Sequence, residues 1–240
     1  MLLLWLASLR LKDASIVDIW WGPGFAVLAV VAYLLAERGH LLVTGLVTVW
    51  GLRLGAYLLW RNAGQGEDPR YQAMRRHWGE RFPWVSLGTV FVLQGLLQWF
   101  VALPVIVAQQ RGAPESLGAL AGVGVLFFGV GLFFETVGDW QLARFKADPE
   151  NQGRVMDRGL WRYTRHPNYF GDFCVWWGIF LVCLETSGAV YTIASPLVMS
   201  FLLMRVSGVP MLERSIGKRR PGYAEYQRRT NAFFPSPPGP

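Results

Sequence analysis

Long apolar runs, rather than the short alternation typical of a half-buried strand, dominate the hydrophobic pattern of this 240-residue chain. Because a helix needs about 20 predominantly apolar residues to cross a bilayer, the runs that approach this length predict six membrane-spanning helices. The predicted spans are residues 18–36, 41–60, 86–108, 117–137, 169–186 and 190–210. The pattern therefore predicts an all-α fold, a polytopic integral membrane helical bundle formed by residues 1–240 as a single membrane-embedded domain.

The two ends of the chain differ from the spans. Residues 2–9 are apolar but too short to cross a bilayer, and Arg10, Lys12 and Asp13 follow them. A cleaved signal peptide would carry its charges before the apolar run, so we expect residues 2–9 to stay in the protein as an interfacial helix or a partial seventh span. The proline-rich residues 236–240 predict a disordered tail, because proline can neither continue a helix nor pair in a sheet interior.

Composition supports the membrane interpretation, since 52% of the residues are apolar and only 16% are charged. This balance excludes intrinsic disorder and a disulfide scaffold. Cys174 and Cys183 lie nine positions apart on one predicted helix and so face opposite sides, where they cannot pair. The histidines His40, His77 and His166 are scattered in sequence and do not suggest a metal cluster. We therefore expect no metal.

The basic residues collect in alternate connections. Residues 61–85, residues 138–168 and the tail after residue 210 are rich in arginine and lysine, whereas the other connections are almost free of them. The basic residues of the tail are Arg214, Lys218, Arg219, Arg220, Arg228 and Arg229. By the positive-inside rule both termini should be cytoplasmic, and anionic lipid head groups would account for part of the net charge of +7. No basic groove with stacking aromatics on a soluble module is present, so we expect no nucleic-acid partner.

A run of glycines occupies the fourth predicted span, at Gly118, Gly122, Gly124, Gly129 and Gly131. A dinucleotide-binding glycine fingerprint would follow a strand, whereas these residues lie inside an apolar helix. We interpret the run as a surface for close helix packing.

The richest polar segment extends from Gly159 to Asp172. Pro167 is expected to be the first residue of the fifth span, with His166 near its N-cap. The free N–H groups of this helix start, together with Arg165 and His166, would form an anion site that suits a phosphate. Asn168 and Asp172 are four residues apart and share a helix face, with Asp172 about one turn inside the membrane. Asp172 is thus either a functional group or the structural partner of an arginine.

A second polar group precedes that segment. Glu135 and Asp139 lie at the end of the fourth span, and the polar residues that follow them are Arg144, Lys146, Asn151, Gly153 and Arg154. Carboxylates at a helix C-terminus oppose the helix dipole and need a cationic or hydrogen-bonding partner. The two interpretations are a solvated helix end with local salt bridges, and a site that holds a ligand with ribose hydroxyls and phosphates.

These residues carry a family resemblance. The stretch from Asp139 to Asp172, including Gly159-Leu160-Trp161-Arg162-Tyr163 and Arg165-His166-Pro167-Asn168-Tyr169-Phe170-Gly171-Asp172, resembles the C-terminal half of the steroid 5-alpha-reductase family of membrane enzymes. Gly222-Tyr223-Ala224-Glu225-Tyr226 and Phe233-Phe234-Pro235 are similar to that family's ending. The resemblance covers roughly residues 15–235 and is specific mainly over 139–235.

The resemblance implies a bacterial inner-membrane oxidoreductase that binds NADPH from the cytoplasm. It would transfer hydride to the activated carbon–carbon double bond of a lipid-like substrate, a steroid or another enone, that arrives from the bilayer. Residues 1–137 would form the substrate-side half and residues 138–235 the cofactor-binding half. The residues expected to hold the nucleotide are Asp139, Arg144, Lys146, Arg154, Arg165, His166, Asn168, Tyr169, Asp172 and Arg205, with Glu213 as a further candidate.

The family's proton-donating pair matches less closely. Its acidic member would fall at Asp18, and its tyrosine near Trp50, which cannot donate an acidic proton. Tyr57 and Tyr33 are the alternatives. Because a four-residue connection makes the first two spans antiparallel, Asp18 should lie near the end of the second span, which favours Tyr57. Arg61 would then be able to form an ion pair with Asp18.

A second resemblance competes with the first. Arg165-His166-Pro167, Tyr169, Gly171, Glu213 and the pair Tyr223 and Tyr226 are also similar to membrane methyltransferases that act on isoprenylcysteine or phospholipids with S-adenosylmethionine. Those enzymes carry two adjacent glutamates where this chain has Glu213-Arg214. That departure, together with Asp172, favours the reductase and keeps the methyltransferase as the alternative.

Overall fold

Helices form all the regular secondary structure of the described residues. The computed structural model describes residues 1–216, 220 and 222–239, with only the main chain for residues 214–216. The α-helices are α1 (Leu2–Leu11), α2 (Ile16–Leu35), α3 (Leu41–Asn62), α4 (Pro69–Trp78), α5 (Phe82–Ser86), α6 (Leu93–Val101), α7 (Leu103–Arg111), α8 (Ala119–Ala147), α9 (Pro167–Cys183), α10 (Ala194–Phe201), α11 (Val209–Ile216) and α12 (Tyr223–Arg229). The π-helical segments are Leu87–Val92 and Leu202–Val206, and the 3-10 turns are Gly79–Arg81, Pro149–Asn151, Gly159–Arg162 and Ala189–Thr192. The predicted all-α class is confirmed.

Five helical segments of the described chain are long and apolar enough to cross a membrane, as in an integral membrane protein. They are Ile16–Leu35, Leu41–Asn62, Pro69–Val101, Ala119–Ala147 and Ala189–Glu213, and each overlaps one predicted span. The remaining predicted span, 169–186, corresponds to α9, which has 17 residues. At 1.5 Å per residue α9 is about 25 Å long, near the lower limit for crossing. The apolar α1 has 10 residues and is too short to span, as predicted for residues 2–9.

The chain divides into two compact units. Unit 1 comprises residues 1–114 with 186–188, and unit 2 comprises residues 115–185 with those from 189 onward. The predicted boundary between residues 137 and 138 falls inside α8, because α8 runs as one helix of 29 residues through that position. The boundary between the compact units lies before α8, and the division into a substrate-side and a cofactor-binding half remains a prediction.

In unit 1, α2 and α3 pack through glycine. A Cβ on Gly22 would lie 2.4 Å from the carbonyl oxygen of Gly51, and a Cβ on Gly51 would lie 2.3 Å from that of Gly22. A Cβ on Gly55 would lie 2.4 Å from the Pro23 ring. No side chain fits in these contacts, so the two backbones touch, as in the small-residue interfaces of membrane helices.

In unit 2, α8 and α9 pack in the same way. Gly124 faces Gly178 and Gly131 faces Gly171, and in both pairs an added Cβ would lie 2.5–2.6 Å from the opposite carbonyl oxygen. Each helix repeats its glycine after seven residues, which places both contacts on one face. The predicted packing role of the glycine run is confirmed at Gly124 and Gly131.

The other glycines of that run do not pack between helices. Gly122 and Gly129 have no atom within 4 Å of an added Cβ, and Gly118 lies beside the Glu185 carboxylate instead. Gly118 precedes α8 as its N-cap. Gly122 and Gly129 lie on α8 but not on the face that meets α9, because at most about three of every seven helical residues can face one partner helix. The sequence showed the glycines but not which of them meet α9.

We predict that Gly131→Ala lowers the stability of the protein and that Gly129→Ala does not. The Gly131 methyl would meet backbone, and overpacking of this kind costs about 1 to 3 kcal/mol. The Gly129 methyl enters open space and gains up to about 1 kcal/mol of helix propensity. Thermal unfolding in detergent measures both. Equal melting temperatures for the two variants would contradict the proposed packing.

Candidate functional site

The carboxylate of Asp18, in the first turn of α2, is held by two residues of α4. The Tyr71 hydroxyl donates to Asp18 Oδ1 at 2.7 Å, and Arg70 Nη2 donates to Asp18 Oδ2 at 2.6 Å. Tyr71 is buried at 6% exposure, and the Asp18 side chain is 21% exposed. Gln94 Nε2 lies 3.4 Å from the Tyr71 hydroxyl. Unit 1 therefore contains a tyrosine hydroxyl that is hydrogen-bonded to the carboxylate of an ion pair.

The structure gives Asp18 a different tyrosine from the one that the sequence favoured. The Tyr57 ring lies under the guanidinium groups of Arg53 and Arg61, at 5.6 and 5.8 Å, whereas the hydroxyl on Asp18 belongs to Tyr71. The cause is that α2 and α3 pack against each other, so the short connection after α3 brings the start of α4 to the start of α2. The ion pair that we predicted from Arg61 is likewise made by Arg70.

The sequence carried part of the signal for Tyr71. Asp68 caps α4 by accepting the Arg70 N–H at 2.8 Å, and Pro69 follows it at the helix start. Aspartate followed by proline is a typical helix beginning, so Arg70 and Tyr71 were identifiable as first-turn residues. Trp50, at the position where the resemblance expects a tyrosine, is fully buried and packs edge-on against Phe25.

Glu67 and Asp68 lie just ahead of α4 and are held as carboxylates. Burial alone would raise the pKa of Glu67, but hydrogen bonds from Arg75 and from the Ala14 N–H outweigh it and lower the pKa below its ordinary value. The pKa of Asp68 is lowered in the same way, with burial outweighed by hydrogen bonds from the Arg70 side chain and N–H. Both groups therefore stay charged well into the acidic range.

In unit 2, α9 begins as predicted, with His166 at the N-cap and Pro167 next. Asn168 Oδ1 accepts the Tyr169 N–H at 3.2 Å, and Asn168 Nδ2 lies 3.5 Å from Asp139 Oδ1 on α8. Asp139 is buried at 5% exposure. The amide and the carboxylate are thus brought together from two helices, while Asp172 lies half-buried one turn further along the Asn168 face.

Arg165 and His166 converge on Glu213. Arg165 Nε donates to Glu213 Oε1 at 2.7 Å, and His166 Nε2 lies 3.2 Å from the same oxygen. Tyr223 and Gln227 also contact this carboxylate, at 3.4 and 3.1 Å. Burial, followed by the charge of Glu213, raises the pKa of Tyr223 to about 12, so it remains a neutral donor. The two residues that we expected to face a phosphate are therefore engaged by a carboxylate.

The segment after α12 completes the loop before α9. The Arg165 N–H donates to the Asn231 carbonyl at 2.9 Å, and the Thr164 hydroxyl donates to the Phe233 carbonyl at 2.8 Å. Phe233 packs edge-on against Phe173 of α9 at 5.7 Å. The sequence predicted a disordered tail at residues 236–240. Its first residue is held in place, since the Ser236 N–H donates to the Tyr163 carbonyl at 3.0 Å.

Two adjoining grooves of unit 2 are lined by arginines and by the carboxylates of Asp148, Asp157 and Glu225. Their volumes are about 310 and about 360 Å³, and they share Phe145, Asn151 and Arg158. Arg144 lines the first groove, where its guanidinium lies 5.6 Å from the Trp140 ring. Arg154 and Arg229 line the second groove. The structure thus gathers guanidinium groups from α8, from the loop after it and from α12.

Of the predicted nucleotide-binding cations, Arg144 and Arg154 line these grooves, while Lys146 and Arg205 do not. Lys146 is exposed near the end of α8, and Arg205 is exposed on the π-helical segment. Sequence reasoning missed Arg158 and Arg229. Both belong to the basic stretches that it identified, but only the folded loop shows that they line the same groove. Lys218 and Arg219 lie outside the described residues.

Comparison with known proteins gives a family and one distant relative. Residues 4–230 match the model of a family described as "Protein of unknown function (DUF1295)". The chain is 24% identical over 260 aligned residues to an uncharacterized protein, C594.04c, of Schizosaccharomyces pombe, covering 97% of this chain and 75% of the relative. No solved structure matches the chain.

We predict that the contribution of Glu67 to stability disappears in acid. Its folded-state pKa is lowered, so the stabilisation is complete above the unfolded pKa of about 4.3 and is lost as the pH falls through the folded value. Melting temperatures of the wild type and Glu67→Gln should therefore differ above about pH 5, and the difference should shrink only as the pH falls below the unfolded pKa of about 4.3 and through the lower folded pKa. Glu80→Gln, at an exposed position, is the control. A difference that does not change with pH would contradict this account.

Proposed function

The chain belongs to this DUF1295 family, and we propose that it is a membrane oxidoreductase that transfers hydride from NADPH to the activated C=C bond of a lipid-like enone. The observation that carries the proposal is the buried Tyr71 hydroxyl, bonded to the Asp18 carboxylate that Arg70 holds. A phenol fixed in this way beside membrane-spanning helices is suited to proton transfer to an apolar substrate. Unit 2 supplies groups suited to a dinucleotide.

The polar groups of unit 2 fit NADPH in their chemistry. Guanidinium groups are the preferred donors to phosphate oxygens, and the two grooves carry Arg144, Arg154, Arg158 and Arg229 beside the carboxylates of Asp148, Asp157 and Glu225, which suit hydroxyl groups rather than phosphates. The carboxylate of Asp139 and the amide of Asn168, held at 3.5 Å from each other, are of the type that bonds ribose hydroxyls or a carboxamide. Asp172, Tyr169, Lys146 and Arg205 join this set through the family resemblance. Arg165 and His166 would act by holding the start of α9 through Glu213.

When bound, NADPH supplies the hydride. The protein's own residues supply and control the proton. Tyr71 holds it on the phenol oxygen, in the hydrogen bond to Asp18, and would turn it to the carbonyl oxygen of the enone as the double bond is reduced. Addition of hydride to carbon and of this proton to oxygen gives the enol, which tautomerises to the saturated ketone. Asp18, ion-paired with Arg70, accepts the Tyr71 hydrogen bond and orients the phenol. This assigns Asp18 an orienting role in place of the proton-donating role that the sequence suggested.

The substrate is proposed to be apolar and to enter from the bilayer. Asp18 and Tyr71 both lie in helical segments that are long and apolar enough to cross a membrane. Asp18 is in Ile16–Leu35, and Tyr71 is in Pro69–Val101. The positive-inside rule applied to the basic connections supports the proposal that both termini and the nucleotide-binding groups lie on the cytoplasmic side of a bacterial inner membrane.

The alternative is S-adenosylmethionine-dependent methyl transfer, and one observation favours it. Arg165, His166, Glu213 and Tyr223, which carry the methyltransferase resemblance, form one bonded cluster in unit 2. Methyl transfer would not need the phenol–carboxylate pair of unit 1, which is why we prefer the reductase. Calorimetric titration with S-adenosylmethionine and with NADPH separates the two.

We predict that the detergent-purified protein binds NADPH with micromolar or tighter affinity and that Asn168→Ala and Asp172→Ala weaken it. Each lost polar contact should cost about 0.5 to 3 kcal/mol, or about 2- to 150-fold in Kd. Gln152→Ala, in the exposed loop after α8, is the matched control. Heat on addition of S-adenosylmethionine and none with NADPH would reject the reductase in favour of the methyltransferase.

We predict that Tyr71→Phe retains NADPH binding and loses turnover by about 10²- to 10⁴-fold, the usual range for a lost general acid. Asp18→Asn should likewise retain NADPH binding and lose turnover. The substrates to test are progesterone, a steroid enone, and β-ionone, a smaller apolar enone. Tyr191→Phe, at a position that is 89% exposed, controls for loss of a phenol. Full turnover by Tyr71→Phe with loss in Tyr57→Phe would return the role to the residue that the sequence favoured.

A further inference from the structure

Residues 67–68 are fastened to the residues just ahead of α2. The Ala14 N–H donates to Glu67 Oε1 at 2.8 Å, and the Asp68 N–H donates to the Ser15 hydroxyl at 3.3 Å. Ser15 is itself fixed, because its N–H donates to Asp13 Oδ1 at 2.8 Å. We call this pair of contacts between residues 13–15 and residues 67–68 the clasp.

Glu67 extends the clasp to the body of α4. Arg75 Nε donates to Glu67 Oε2 at 3.0 Å, and Arg75 Nη2 donates to Glu67 Oε1 at 2.8 Å. This two-point geometry is the strongest form of an arginine–carboxylate pair. The Glu67 side chain is 8% exposed and the Arg75 side chain is 36% exposed, so water reaches the pair from the arginine side and screens it in part. Arg75 lies four residues after Tyr71, on the same face of α4. One carboxylate thus connects the start of α2 to the face that bears Tyr71.

Asp68 orients Arg70, the other residue that donates to Asp18. Asp68 Oδ1 accepts the Arg70 N–H at 2.8 Å and Arg70 Nε at 2.9 Å, and Asp68 Oδ2 accepts Arg70 Nη2 at 3.2 Å. The same Nη2 donates to Asp18 at 2.6 Å. The Arg70 guanidinium is therefore held between two carboxylates, and its position depends on where the clasp puts Asp68.

The chain that leads into the clasp does not itself fix α4. Residues 63–66 connect α3 to Glu67 and include Gly64 and Gly66, both with positive φ, at 75° and 71°. A Cβ at either glycine would meet nothing within 4 Å. A connection of this kind does not by itself set the position of α4 relative to α2, so that position depends on the contacts of Glu67 and Asp68 together with the packing of Tyr71 against Ala14 and Val17 and its bond to Asp18.

We propose that Glu67 is a positioning residue for the Asp18–Tyr71 pair. It touches neither residue, and it acts by holding the Ala14 N–H and Arg75 at fixed places, which brings the first turn of α4 to the first turn of α2. The proposal rests on the proposed function for its catalytic consequence. The placement of Tyr71 on Asp18 does not depend on what the pair does.

Turnover is the first measurement. A displacement of about 1 Å in a reacting group is able to cost about 10²-fold in rate, so Glu67→Ala should lower kcat by about that factor and leave KM for NADPH unchanged. Glu67→Gln, which keeps an acceptor for the Ala14 N–H, should lose less. Arg75→Gln should match Glu67→Gln, and the double variant should be no worse than either single one, because both act through one pair. Glu80→Gln is the matched control. Additive losses, or a change confined to KM, would overturn the proposal.

The second measurement needs no substrate. With 3-fluorotyrosine at position 71, the ¹⁹F resonance of the full chain in detergent reports the environment of the phenol, and Asp18→Asn gives the reference shift for the lost bond. Glu67→Ala should move or broaden this resonance, and Glu80→Gln should leave it in place. An unchanged resonance in a folded Glu67→Ala protein would overturn the proposal. A changed resonance with no reduction of progesterone or β-ionone by the wild type would uphold the positioning role and reject the proposed reaction.

Discussion

Direct contact between helix backbones is the constraint on which the rest of this structure depends. Lipid offers no hydrophobic force to drive apolar helices together, so α2 with α3 and α8 with α9 associate where glycines allow the closest approach. In unit 2 the contact at Gly131 and Gly171 lies two turns from Asp139 and one turn from Asn168, so the same packing that stabilises the pair also brings these polar groups within 3.5 Å. The polar site is thus a consequence of how the apolar parts of the helices pack.

In each unit several hydrogen-bond donors surround one carboxylate. Asp18 receives a phenol and a guanidinium, and Glu213 receives a guanidinium, an imidazole, a phenol and an amide. A carboxylate near a membrane helix is costly unless donors surround it, and both are surrounded by donors from distant parts of the chain. These carboxylates therefore fix connections that hydrophobic packing leaves undetermined, including the start of α4 and the approach to α9.

The sequence was sufficient for features set by local chemistry. Apolar run lengths predicted the helical class, and Pro167 placed the start of α9 with His166 at its N-cap. It was insufficient where long-range folding decides. Tyr71 reaches Asp18 across 53 positions because α3 packs against α2 before the chain enters α4, and Arg165 meets Glu213 across 48. The sequence shows that each of these side chains is polar, but it does not show which of several residues of one type is the partner. Tyr57, for example, was as plausible a partner for Asp18 as Tyr71. Spacing along one helix cannot choose among groups that lie on different helices.

The contacts of residues 231–236 with the loop before α9 impose an order on biosynthesis. Thr164 and the Phe233 carbonyl that it bonds are 69 residues apart, and at translation rates of about 5 to 20 residues per second they emerge about 3 to 14 seconds apart. For most of that interval α9 is already synthesised, while the carbonyl partners of the Thr164 hydroxyl and the Arg165 N–H are not. Synthesis of α9 and completion of the loop at its start are therefore separate events in the life of the nascent chain, and the contacts that hold this end of unit 2 form only with the second.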